Sequence, residues 1–430
     1  MEEKILYFIW KYKLYNANQL ISSESKHIQI INPGMQNFDA GPDFINAQIK
    51  IDNTLWAGNV EMHLKSSDWN KHHHQKDKAY NNVILHVVLN NDTMVYNENG
   101  DKIPLLKLKL NPAIVKKYEE LLVNEGKLPC SKDIKSVEEF RLKIWFDNIL
   151  FERLNEKTKT IKQKLEINKN NWEESFYQTI ARNFGFNLNA EPFERLARSL
   201  PLKYIAKHHN NLLQIEALLF GQAGFLSDNI NDEYFEMLKR EYTHLKKKFG
   251  LHPIEKHSWK FLRSRPSNFP LIRISQFACL LHQSTSLFSK IINANSTDEI
   301  QKLFQLKASE FWSTHYTFEK VSEKKEKRFG TNSVNNIIIN TIVPYTFQYG
   351  EYKDDQKLKD KAITLLENLK SENNYITRMW NSEGIKITNA FSSQAVIQQT
   401  KNYCQKGKCL DCGIGSEILK RSFIDNKLVN

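Results

Sequence analysis

Five of the chain's 13 histidines lie between His63 and His86, and the stretch that holds them also carries Asp43, Glu61, Asp68 and Asp77. Side chains alternate along a strand, so if residues 56–64 are extended, Glu61, His63 and Lys65 point to one side. Asp43 opens the preceding candidate strand, residues 45–51, and a hairpin between the two brings it alongside Glu61. Two carboxylates meeting across adjacent strands make an oxygen-rich site for Mg²⁺ or Mn²⁺, hard cations that keep open water positions. A cation beside them, Lys65 or a protonated His63, would stabilise an attacking water or the charge that builds on phosphorus. The chemistry this points to is metal-dependent hydrolysis of phosphodiester bonds, in DNA or RNA.

The same residues support a second reading. His63, His72 or His74, Asp77 and His86 offer three or four ligands for Zn²⁺, which would make a zinc-dependent hydrolase or a structural site. Each also has a plainer role open to it. Asp43 follows Gly41-Pro42 and can cap a turn, and Asp68 ends the turn-like run Ser66-Ser67-Asp68. His72, His73 and His74 can be a solvated loop, and His86, between Leu85 and Val87, a hydrogen-bonded core histidine. Glu61 is the hardest to dismiss. It lies between apolar Val60 and Met62, and a buried carboxylate needs a reason.

A separate signal closes the chain. Cys404, Cys409 and Cys412 place three thiols within nine residues, ligand spacing for zinc or an iron–sulfur cluster. Both need a fourth ligand, and Cys130 is the natural candidate. If it joins, the metal clips the C-terminal tail back towards the N-terminal unit. Cys279, in an apolar helical stretch, reads as a small core residue.

Elements must position these groups. The 430 residues are 40% hydrophobic and 26% charged, a globular composition, and Gly (15) and Pro (11) are scarce enough to favour long helices. Residues 1–22 have helical spacing of apolar positions. Short strands follow at 45–51, 56–64, 83–89 and 102–110, and then helices at 137–165, 172–184, 190–208, 211–224, 234–249, 270–292, 297–312, 334–348, 355–370 and 391–401. The helix at 172–184 carries capping-box residues Asn171 and Glu174 and a candidate C-terminal Gly185. The expected fold is α+β. A mixed α/β unit (1–112) is followed by a large helical domain (113–400) and a Cys-rich metal-binding tail (401–430).

A net charge of +12 raises the odds of a polyanionic partner, so nucleic acid is the expected one. The stretch 259–273 interleaves aromatics with arginines and offers a stacking surface, or a loop packed between helices. Nothing approaches an uninterrupted apolar span of roughly 20 residues, so no membrane is expected. Without a signal-like opening, and with an odd number of cysteines, the expected location is the cytoplasm.

Pro42-Asp43 followed by Glu61-x-His63 resembles the PD-(D/E)XK nuclease superfamily, in which an Asp on one strand is followed by Glu-x-Lys on the next. The resemblance implies a restriction-endonuclease-like N-terminal unit with Asp43 and Glu61 as metal ligands. His63 stands where that pattern has Lys, with Lys65 two residues on. This departure leaves a non-catalytic nucleic-acid or protein adaptor as the contrasting expectation. Some relatives of these nucleases carry an iron–sulfur staple made by one distant Cys and a C-terminal trio, which Cys130, Cys404, Cys409 and Cys412 resemble. The chain as a whole is also similar to a family of bacterial proteins known only as a domain of unknown function. The pieces that carry this are Ala40-Gly-Pro-Asp-Phe44, Gly58-Asn-Val-Glu-Met-His63, Ser67-Asp-Trp69, Leu85-His-Val-Val88, Asn183-Phe-Gly185, Glu191-Pro-Phe193, Leu219-Phe-Gly-Gln-Ala-Gly224, Arg265-Pro-Ser-Asn-Phe-Pro270 and Cys409-Leu-Asp-Cys-Gly-Ile-Gly415.

Overall fold

A six-stranded mixed sheet organises the N-terminal part of the computed structural model, which describes residues 3–123 and 128–429. Helix α1 (Glu3–Lys11) precedes strands β1 (Ile28–Asn32), β2 (Met35–Gln36), β3 (Phe44–Ile51) and β4 (Thr54–Lys65). A short helix α2 (Asp68–Lys71) leads on to β5 (Val83–Asn90) and β6 (Leu105–Lys107). The spatial order is β1-β3-β4-β5-β6, with β2 on β3. β1, β3 and β4 run antiparallel, whereas β4, β5 and β6 run parallel. The parallel centre explains the unbroken apolar run of β5. Val83 to Val88 are all buried, as expected of a strand covered on both faces.

The expected face of β3 holds for Ala47, Ile49 and Ile51, which are buried, but Phe44 takes the place of Ile45. The cause is a bulge. Asn46 sits at φ 58°, and the pairing with β4 shifts between Phe44 and Ala47. The extra residue carries Phe44 into the core and sets the Asp43 backbone against β4. Helix α1 stops well short of residue 22 because Lys13 turns to φ 53°; residues 1 and 2 of that expected helix lie outside the described residues. The expected strand 102–110 shrinks to Leu105–Lys107, since Pro104 has no N–H for a ladder.

The chain forms two compact units. One comprises Met1–Asn148, Asn374–Lys386 and Val396–Asn430, the other Ile149–Asn373 and Ile387–Ala395. Residues 113–148 and 401–430 thus share a unit with the sheet. In that unit the C-terminal helix Gly413–Val429 packs on α3 (Pro112–Val123).

The second unit is helical. Asn171 caps the helix Trp172–Phe184 by accepting from the Glu174 amide, but the Glu174 carboxylate accepts from Leu202 N and Gln178 Nε2, so the capping box is only half formed. Gly185 ends this helix at φ −74°, outside the left-handed region; a Cβ there would meet Asn189 O at 2.1 Å. Gly250 ends Glu233–Phe249 in the left-handed conformation, as expected. The expected helix 270–292 breaks at Ser286 (φ 53°), and 190–208 breaks at Pro201. The stretch 259–273 is anchored at its two ends, while Leu262, Arg263 and Arg265 between them are exposed: Trp259 is buried and donates to Ala223 O. Arg273 is buried against the Phe186 and Phe329 rings and bonds to Gln276 and Asn268. Cys279 lies in the core, as expected. The fold is α+β with a large helical part, and no described helix is long and apolar enough to cross a membrane.

Gly58 marks the closest approach of β4 to β5. A Cβ there would lie 2.4 Å from Ile84 Cγ2 and 2.6 Å from Asn82 O. Gly58→Ala is therefore expected to lower stability by about 1–3 kcal/mol. Urea denaturation followed by tryptophan fluorescence measures this, and an unchanged midpoint would refute it.

Candidate active site

The β3–β4 hairpin brings the two expected carboxylates together. Asp43 N donates to Glu61 Oε2 at 3.0 Å, and Met62 N donates to Asp43 Oδ2 at 3.0 Å. Each side chain is thus held by an amide of the opposite strand. Glu61 is 4% exposed and Asp43 half-buried. Burial raises the pKa of both, and the Glu61 charge raises Asp43 further. Glu3 raises both as well, and Tyr7, which raises its own pKa by burial beside Asp43, hydrogen-bonds to that carboxylate. Glu3 and Tyr7 are four residues apart on α1 and so share a face. Sequence reasoning missed them because α1 read only as an apolar helix; that spacing was the one available signal.

Two imidazoles lie against Glu61, and two more lie against one of them, His63. His63 Nε2 lies 3.6 Å and His74 Nε2 3.2 Å from Glu61 Oε1. His63 Nε2 is 3.1 Å from His72 Nδ1, and His63 Nδ1 is 2.9 Å from His86 Nε2. Among the described residues, His63, His72 and His74 are the one group of three metal-ligating side chains whose ligand atoms all lie within 4.8 Å of one another. β4 supplies His63, β5 supplies His86 (register Glu61↔His86), and the segment between them supplies the other two. Trp69, wholly buried, and Tyr80 anchor that segment; His74 stacks on Tyr80 with ring centroids 3.8 Å apart.

These groups fit a metal ion. Ligands at about 2.0–2.1 Å in a tetrahedron stand about 3.4 Å apart, and the donor separations here are 3.1, 3.2 and 3.6 Å. His74 Nε2 is buried and has no hydrogen-bond partner although the carboxylate lies 3.2 Å away. The two atoms are not aligned on each other, as they would be for a hydrogen bond. If His63 Nδ1 carries the proton and donates to His86 Nε2, its Nε2 lone pair faces Glu61 and His72. Burial lowers the pKa of His63, His74 and His86, which favours the neutral, ligating form. Burial holds the Glu61 and Asp43 carboxyls above their ordinary range, so a cation beside them would favour their ionised, ligating form.

This corrects two expectations. His63 is not a protonated cation, because burial and its imidazole neighbours lower its pKa to about 2. Lys65 is exposed at the end of β4, where its backbone N–H donates to Asp68. Asp68 thus has the turn role, and Asp77 is exposed and caps the turn at Ala79 N. Neither joins the cluster, so the zinc reading keeps its histidines and loses Asp77. His86 is buried and supports His63.

The four sequence-selected cysteines also meet, in the same compact unit. Cys130, Cys404, Cys409 and Cys412 line one small cavity, and all are reduced. Burial raises the Cys130 thiol, and the other three thiols raise it further.

A family model, "Protein of unknown function (DUF2851)", matches residues 3–375, so the chain belongs to that family. No curated protein and no solved structure matches it.

Mn²⁺ or Zn²⁺ is expected to stabilise the wild type, by about 2.7 kcal/mol at a hundredfold excess over its dissociation constant. Glu61→Gln and His74→Ala should lose most of that gain. Glu61→Gln should also raise the melting temperature of metal-free protein at neutral pH, since burial disfavours the Glu61 charge and an amide carries none. Differential scanning calorimetry with and without metal decides; equal metal shifts in all three proteins would count against the centre.

Proposed function

We propose that the protein is a metal-dependent nuclease. The observation that carries the reading is the meeting of Asp43 and Glu61 across adjacent antiparallel strands, with His63 and His74 against Glu61 and His72 against His63. Asp43 on β3 and Glu61 on β4 is the placement that the PD-(D/E)XK resemblance implies. Glu61, His63, His72 and His74 would hold the ion, with Asp43 beside them. Imidazole ligands favour Mn²⁺ or another transition metal over Mg²⁺. When bound, such an ion lowers the pKa of a water molecule and neutralises charge on a phosphoryl oxygen. The protein's part is to hold Glu61 and Asp43 by backbone amides, to orient His63 through His86, and to keep water from the inner side of the cluster with Trp69 and Tyr80.

A cleft of about 660 Å³ supports nucleic acid as the substrate. Tyr7, which bonds to Asp43, lines it together with Lys4, Lys11, Lys408 and Lys420. Phe38, 82% exposed, and Tyr12 add aromatic surface, and Lys420 Nζ sits 3.8 Å from the Tyr12 ring centre. Two acidic residues, Asp411 and Glu417, share the cleft; Glu417 is paired with Lys420 and Arg141. Lysines interleaved with aromatic rings suit a single strand, whose phosphates meet the charges and whose bases stack.

Labelled single- and double-stranded DNA and RNA, incubated with Mn²⁺, Zn²⁺ or Mg²⁺, test the proposal. Cleavage should be strongest on a single strand with Mn²⁺, and should fall on the order of 100-fold or more in Asp43→Asn and Glu61→Gln. Folded, metal-replete protein that cuts none of the four, or variants as active as the wild type, would overturn it. Binding without cleavage would favour the adaptor.

A further inference from the structure

Cys130 lies far in sequence from Cys404, Cys409 and Cys412, and the fold assembles the four thiols from two loops. Cys130 sits between α3 and α4 (Glu139–Ile167), and the other three lie ahead of the helix Gly413–Val429. Cys130, Cys409 and Cys412 are each no more than 7% exposed, and Cys404 is less buried. The cavity they share is too small for an organic ligand, at about 10 Å³. The sulfurs are also supplied with hydrogen-bond donors. Gln399 Nε2 donates to Cys412 Sγ at 3.1 Å and to Cys404 Sγ at 3.5 Å, and the amides of Ile414 and Gly415 donate to Cys412. Donors of this kind stabilise thiolates, whereas a core thiol needs none.

The glycines show how tightly the loop is drawn in. A Cβ at Gly415 would lie 2.2 Å from Cys409 O, and one at Gly413 would lie 2.6 Å from Trp145. Trp145 Nε1 in turn donates to Gln399 Oε1 at 2.8 Å, which orients the Gln399 amide towards the sulfurs. No packing requirement of an exposed tail explains two obligatory glycines, an oriented amide and four converging thiols.

We infer that Cys130, Cys404, Cys409 and Cys412 hold a thiolate-ligated metal centre, a single zinc ion or an iron–sulfur cluster. Ligation deprotonates all four thiols and forms four metal–sulfur bonds. The centre ties the loop after α3 to the C-terminal helix that packs on α3. The same tail carries Lys408 and Lys420 into the cleft, so the centre would also fix that wall; this last role rests on the nucleic-acid reading, whereas the centre itself does not.

The experiment is metal and acid-labile sulfide analysis of the full chain purified without oxygen, with visible absorption and electron paramagnetic resonance. Cys404→Ser, Cys412→Ser and the control Cys279→Ser are compared with the wild type. Zinc, or iron with matching sulfide, lost in the first two variants and kept in the control, is the expected result. Only metal lost on changing these cysteines counts, which keeps ions at the histidine centre out of the comparison. Folded wild-type protein with neither zinc nor iron, or content unchanged by Cys404→Ser, would overturn the site. If the variants fail to fold, iron and sulfide in the wild type, or zinc retained by His74→Ala, decides alone, and it does so whether or not the protein cuts nucleic acid.

Discussion

Two carboxylates on neighbouring strands, shielded from water and without an imidazolium or lysine between them, are the constraint around which the N-terminal unit is arranged. The fold holds them by exchange: the Asp43 amide serves Glu61, and the Met62 amide serves Asp43. Neutral amide donors reduce the cost of buried charge without cancelling it. The bulge at Asn46 is part of this device, because without the extra residue β3 would present Ile45 to the core. A local irregularity thus serves the site, as bulges beside functional residues often do.

The imidazoles depend on a second layer. His72 and His74 sit on the short segment between β4 and β5, which has little regular structure to hold it. Its rigidity comes from side chains. Trp69, Tyr80, Val83, Val95 and Ile103 form one apolar cluster, and Trp69 Nε1 donates to Tyr96 O. Ser66 and Ser67 both bond to Asp92 and pin the turn that leaves β4. The Ser67-Asp-Trp69 and Leu85-His-Val-Val88 pieces of the family pattern therefore make physical sense as supports, one for the His-bearing segment and one for the ring of His63.

Much of this was legible in the sequence. Alternation placed Glu61 and His63 on one strand, the hairpin placed Asp43 beside Glu61, and thiol spacing named three cysteines, with Cys130 supplied by the need for a fourth ligand. What was not legible came from long-range effects. Nothing local reports that His63 is buried deeply enough to stay neutral, or that Lys65 falls at the exposed end of its strand. Asp77 carries the residue type of a ligand but caps a turn instead, and the two uses look alike in sequence. Tyr7 and Glu3 were hidden because a helix shows its apolar face in sequence, whereas its polar contacts depend on what it packs against. Helix ends failed for a related reason: Lys13 and Ser286 adopt left-handed backbone conformations that neither residue type signals.

The two ligand sets are chemically sorted. Around Glu61 the donors are carboxylate oxygen and imidazole nitrogen; around Gln399 they are sulfurs. Affinity alone would not keep metals apart, because divalent ions follow much the same order at most sites. Donor softness and spacing do. Thiolates suit zinc or iron held in a cluster, whereas nitrogen and oxygen donors some 3.1–3.6 Å apart suit a single borderline ion. Access differs as well. The sulfur cavity has room for little besides its own ligands, as a structural centre requires, whereas His72 is exposed and leaves the histidine centre open on one side. An open side is what lets water and substrate reach an ion, so the catalytic role we propose falls to the group on the sheet.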